Sequence, residues 1–174
     1  DPATQKISTI FLPAYYIRLK VANNGNRTLE NAEVVLEKIE PQPENFMSLN
    51  LSWAGQVNDT TGIARTVKIP QSQSRIVDVI EVTEPAETLK LSKSSTGIRA
   101  KRFEGYSKGF RCCSIQPHSL SDIILAGKYL LHIGIYADNA KPQKVKVSIN
   151  YDGKWGTKGI VGMRSNHLRV KLIN

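Results

Sequence analysis

Cysteine is scarce in this chain, and the only two, Cys112 and Cys113, are neighbours. Adjacent cysteines can close only a small strained ring with each other, so they cannot staple distant segments and a disulfide-built scaffold is excluded. Two ordinary thiols are expected, one of them buried. Long apolar runs are equally lacking, and none approaches the roughly 20 residues that a membrane-spanning helix requires. Nor do the opening residues, DPATQKISTIF, show the basic start and apolar core of a secretory signal. Catalytic signatures are absent as well: there is no G-x-S-x-G elbow, no phosphate-binding loop, no H-E-x-x-H pair and no dinucleotide fingerprint. The three histidines, His118, His132 and His167, stand far apart, and His118 with Asp122 supplies two ligands, too few for a metal site. Asp138, Asn139 and Asp152 lack the density of carboxylates that calcium loops need, and turn formation accounts for them. The expectation is a protein without catalytic residues, metal or cofactor.

What the chain does have is β-strand patterning. Its 174 residues, 40% hydrophobic and 22% charged, suit one domain spanning 1–174 with a core of useful size. The longest pattern runs from Gly127 to Asp152. Tyr129, Leu131, Ile133, Ile135 and Ala137 fall on one face of its first half, and Leu130, His132, Gly134 and Tyr136 on the other. Both faces are largely apolar, which predicts a central strand. In the second half, Val145, Val147, Ile149 and Tyr151 alternate with Lys144, Lys146, Ser148 and Asn150, the pattern of one buried and one wet face. The connection is expected over Asp138 to Gln143, with pairing resuming only after Pro142, which has no N–H to donate.

Shorter strands are expected elsewhere. Ala14 to Asn23 alternates and stops at Asn23-Asn24-Gly25-Asn26, a strong turn signal. Asn31 to Glu40 alternates through Ala32, Val34 and Leu36 and then changes phase at Ile39, which a bulge near Lys38 explains. Leu29, Ala32, Leu36 and Ile39 also fit helical spacing, but Val34-Val35 and the preceding turn favour a strand. Met47 to Trp53 places Leu49, Leu51 and Trp53 on one face. Thr66 to Ile69, Ser74 to Val82 and His167 to Ile173 complete the set, with one of Asp78 and Glu81 expected to face water.

Charge is distributed unevenly. The net charge is +9, yet residues 1–60 carry 5 basic and 7 acidic side chains, and residues 61–90 carry 4 of each, so the excess lies after Lys90. From 84 to 121 the periodicity fades, and a long basic insertion or loop is expected there. Within it, Lys90, Lys93, Arg99, Lys101, Arg102, Lys108 and Arg111 face the single acid Glu104, with Phe103, Tyr106 and Phe110 interleaved. Basic residues with spaced aromatics suit an anionic polymer or an anionic membrane surface. The competing reading has the aromatics pinning the loop to the core while the charges stay solvated. Trp155, between Lys154 and Gly156, is the candidate exposed aromatic, and it or Trp53 could stack on a glycan.

Two stretches, LKVANNGNRTLENAEVVL (19–36) and AGKYLLHIGIYADNA (126–140), resemble the immunoglobulin-like modules that include the bacterial cell-adhesion-related domain. The resemblance covers roughly a fifth of the chain and rests on strand and turn residues. It implies an all-β, immunoglobulin-like antiparallel β-sandwich of about 7–9 strands, interrupted by the insertion. It further implies attachment to other cell-surface or membrane parts, hence a membrane-associated or extracytoplasmic location, with no catalytic residues to carry over. The expected function is a non-catalytic interaction module for a protein partner or surface ligand. Anionic polymer or membrane binding and glycan binding are the alternatives. The candidate binding residues are Lys101, Arg102, Phe103, Tyr106, Lys108, Arg111 and Trp155.

Overall fold

A computed structural model describes residues 14–55, 65–83, 109–115, 123–156 and 162–173. Ten strands appear in them: β1 Ala14–Ala22, β2 Leu29–Glu40, β3 Leu49–Asn50, β4 Val67–Ile69, β5 Ser74–Thr83, β6 Gly109–Cys112, β7 Ile124–Leu125, β8 Gly127–Ala137, β9 Ala140–Tyr151 and β10 Leu168–Ile173. All pair antiparallel. One sheet runs β1-β5-β6-β7; the other runs β10-β9-β8-β2-β3, with β4 also paired to β2. A single cluster of buried side chains draws on both.

The alternation seen in the sequence sets which side chains enter that cluster. In β1, Tyr15, Ile17, Leu19 and Val21 pack inward while Tyr16, Arg18, Lys20 and Ala22 are exposed. In β2, Ala32, Val34, Leu36 and Ile39 are all fully buried. Residues three apart share a face only if one residue leaves the ladder, and the register does skip Glu37 between Leu36 and Lys38. β8 lies between β2 and β9, as its two apolar faces predict. The segment after β3 changes sheets: Leu49–Asn50 pairs with β2, Leu51 bridges Ser114, and Trp53 bridges Val77 of β5. Leu49, Leu51 and Trp53 are all buried.

The turn after β1 is tied down by one side chain. Asn23 is buried; its Nδ2 donates to the carbonyls of Arg27 (2.7 Å) and Ile69 (2.8 Å), while its Oδ1 accepts from the Gly25 N–H at 3.0 Å. A polar side chain is stable in the core only when its hydrogen bonds are met in this way.

Four expectations need correction. The β8–β9 turn is only Asp138-Asn139, and Ala140 already pairs with Ala137. The irregularity comes later, because the register jumps from Ala137 opposite Ala140 to Ile135 opposite Gln143 and so absorbs Pro142, which cannot donate to a regular ladder. Neither Asp78 nor Glu81 faces water alone. The β1–β5 register skips Val79, which turns both acids to the same outer face and brings each to an arginine. The region 84–121 is not all insertion, because Gly109–Cys112 is β6, between β5 and β7. Four residues are too few to show a period, but close packing explains them: a Cβ on Gly109 would stand 2.2 Å from the Ile124 carbonyl oxygen. Phe110 is fully buried, edge-on to Tyr129 with ring centroids 5.4 Å apart. Finally, Leu168–Ile173 is a strand, but its burial does not alternate as expected: after Leu168 every residue is exposed.

Candidate functional site

Five cations on the outer faces of the two sheets have an acidic partner among the described residues. On the first sheet Arg18 Nε donates to Asp78 Oδ1 at 2.7 Å, and the Arg18 guanidinium lies 5.3 Å from the Tyr16 ring centroid. Arg111 of β6 donates to Glu81 of β5, a buried acid. Burial first, and then the negative charge of Glu81, hold the Tyr16 phenol above its ordinary value. On the second sheet Glu37, the residue outside the ladder, accepts from both Lys144 and Tyr136. Those two hydrogen bonds draw its carboxyl below the usual range. Gly134 makes this cluster possible, since a Cβ there would stand 2.5 Å from the Tyr136 ring and 2.7 Å from the Glu37 carboxylate. Lys38 pairs with Glu40, and Lys68 with Glu30 at 2.9 Å.

The flank between β1 and β10 brings two strand edges together. Each is the terminal strand of its sheet among the described residues, so each presents unpaired backbone N–H and C=O groups there. Between them runs a groove of about 680 Å³. Its lining includes Tyr15, Ile17, Met163 and Val170, with Arg18, Arg164 and Arg169 also along it. Behind it, a single π-helical turn, Met163–His167, leads into β10. That turn is anchored to the end of β9. The Asp152 N–H donates to the His167 carbonyl at 3.1 Å, and the Asp152 carboxylate stands 3.0 Å from His167 Nδ1 while accepting from the Lys154 N–H at 2.9 Å. Burial alone would raise the Asp152 pKa, but the hydrogen bonds from His167 and Lys154 outweigh it and hold the carboxyl below its ordinary range. Gly153 takes φ +80° in this turn, and a Cβ on Gly156 would stand 2.6 Å from the Met163 nitrogen. Strand β10 therefore starts from a fixed point.

Along β10 the side chains facing the interior are Leu168, Val170 and Leu172. Their exposure climbs from 2% to 38% to 50%. The strand thus leaves the core along its length: Leu168 belongs to the buried cluster, and Val170 and Leu172 are progressively uncovered. The intervening Arg169 and Lys171 are exposed, and among the described residues neither they nor Arg164 has an ion-pair partner. Unmatched cations and uncovered apolar side chains coincide on one strand.

Of the residues singled out from sequence, Lys101, Arg102, Phe103, Tyr106 and Lys108 lie outside the described residues. Arg111 is committed to Glu81. Trp155 is half-buried, not exposed; it packs against the core with its ring centroid 4.7 Å from that of Tyr15. Sequence reasoning missed Val170 and Leu172 as surface groups. Their alternation is that of any half-buried strand, and their exposure goes with the place of β10 at the end of its sheet among the described residues. Among the described residues no group of three or more His, Cys, Asp or Glu could hold a metal ion, and no helix is long and apolar enough to cross a membrane.

The chain is defined by its architecture as an all-β protein of two antiparallel sheets. No protein-family model matches it, nor does any curated protein or solved structure at a significant level.

Proposed function

We propose that this chain is a non-catalytic β-sandwich interaction module, one part of a larger or membrane-tethered protein, and that it engages its partner through the β1/β10 flank. The observation that carries this reading is the rising exposure of Leu168, Val170 and Leu172 along the interior side of an edge strand. Monomers seldom leave an edge of this kind uncovered without a reason, because it invites pairing with another chain. What supports an immunoglobulin-like sandwich is the strand order: β1 and β5 share one sheet, while β2, β8 and β9 adjoin in the other, as strands B and E and strands C, F and G do in that sandwich. β10, beside β9, extends the pattern on the side where the groove opens.

A photo-reactive benzoylphenylalanine at position 172 tests the reading in cells of origin. A discrete protein adduct is expected there and not from the same group at position 47, where the native Met47 is 67% exposed beside the opposite edge. Equal adducts at both positions, or none at 172, would remove the reading.

Charge favours a second reading. Residues 91–174 carry 15 basic and 4 acidic side chains, a field suited to an anionic polymer or membrane surface through segment 90–111. Binding of this kind weakens steeply with salt and is indifferent to the identity of residue 172. The glycan reading has less to stand on, because Trp53 is buried and Trp155 packs on Tyr15.

A further inference from the structure

We propose that the outer edge of β10 is a strand-addition site whose occupant is an extended segment alternating apolar and acidic residues. This rests on the interaction-module reading and adds to it the chemistry of the partner. An added strand would take up the unpaired backbone groups of β10, and its side chains would then fall alternately on the two faces of the enlarged sheet. On the interior face they would lie beside Val170 and Leu172 and over the groove, where apolar groups gain by leaving water. On the outer face they would lie beside Arg169 and Lys171. Lys146, on β9 opposite Ile173, is also exposed on this side.

Charge selects among possible occupants. From Gly162 to Asn174 the chain carries Arg164, Arg169 and Lys171 and no acidic residue. A second copy paired antiparallel through β10 would set these cations against one another, and like charges opposite each other on neighbouring strands are destabilising. A strand with acids at alternate positions turns the same cations into cross-strand ion pairs. Among the described residues Arg169 and Lys171, like Lys20, Arg75 and Lys128 elsewhere, have no acidic partner, and what sets them apart is their place on an edge strand beside exposed apolar side chains.

The test uses the full chain and a fluorescein-labelled octapeptide of alternating valine and glutamate, followed by fluorescence anisotropy and by amide hydrogen exchange. The expected result is saturable binding, slowed exchange in β10 above all, and at least a tenfold loss of affinity for Lys171→Glu and for Leu172→Asp. Both variants should keep the circular dichroism and melting temperature of the parent; if Leu172→Asp unfolds, Arg169→Glu, which alters an exposed side chain alone, takes its place. Alternating valine and lysine should bind at least tenfold more weakly. Several outcomes would overturn the proposal: no binding, equal binding of an oligoglutamate of the same charge, a dimer that Lys171→Glu dissociates, or a tenfold gain in peptide affinity on deleting residues 1–13. Failure with the peptide while cross-links at position 172 persist removes the partner chemistry and leaves the interaction-module reading intact.

Discussion

Stability is expected to fall steadily as pH rises above about 9, ending in alkaline unfolding. Burial pushes the Cys112 thiol up to about 12. It does the same to the Cys113 thiol, up to about 12, helped by the negative charges of Glu81 and Asp78. The Tyr151 phenol is likewise pushed up to about 12 by burial and then by Asp152. Each group holds its proton more tightly folded than unfolded. Its contribution to stability is therefore complete below its unfolded value, near 9 for the thiols and near 10 for the phenol, and drains away as pH climbs toward the folded one. Each can contribute a slope of up to about 1.4 kcal/mol per pH unit, so the three together outweigh most single substitutions. Thermal unfolding from pH 7 to 11 measures the effect. The double variant Cys113→Ala, Tyr151→Phe should keep only a minor part of the slope; an unchanged slope would contradict the assignment. At neutral pH, Tyr151→Phe should cost little, because among the described residues the buried Tyr151 hydroxyl has no hydrogen-bond partner.

The second large effect is expected from Phe110→Ala. This ring sits on a four-residue strand between β5 and β7 and is in edge contact with Tyr129 of β8 in the other sheet, so it links the two layers. Removing a fully buried phenyl ring costs about 3–5 kcal/mol, most of it where the surroundings cannot collapse. Here they are held: Gly109 is already in close contact with the Ile124 carbonyl. Chemical denaturation should show the midpoint falling with little change in slope. A loss under about 1 kcal/mol would mean that β6 is not part of the core.

The long strands could be read from the sequence because length and alternation act together over nine or more residues. β1, β2, β8 and β9 follow the pattern closely, including the phase change that turned out to skip Glu37. The second bulge, at Val79, was hidden because SRIVDVIEV is apolar on both faces and a skipped residue leaves no gap in such a run. β6 was hidden for another reason: it is fixed by what a glycine lets approach and by one buried ring, neither of which has a period. The site was less legible than the fold. Arg111 sits among other cations in the sequence, but a buried acid 30 positions earlier claims it. Val170 and Leu172 look like core residues, and their exposure follows from strand order, a long-range property that local alternation does not encode.

The open edge of β10 is the central claim, and amide hydrogen exchange on the free 174-residue chain tests it most directly. If the edge is open, every second amide of β10 points away from β9 and should exchange at nearly the rate of an unstructured peptide, while the amides of β8, paired on both sides, are protected by orders of magnitude. Uniform protection across Leu168–Ile173, matching that of β8, would show the edge already covered and would contradict the account.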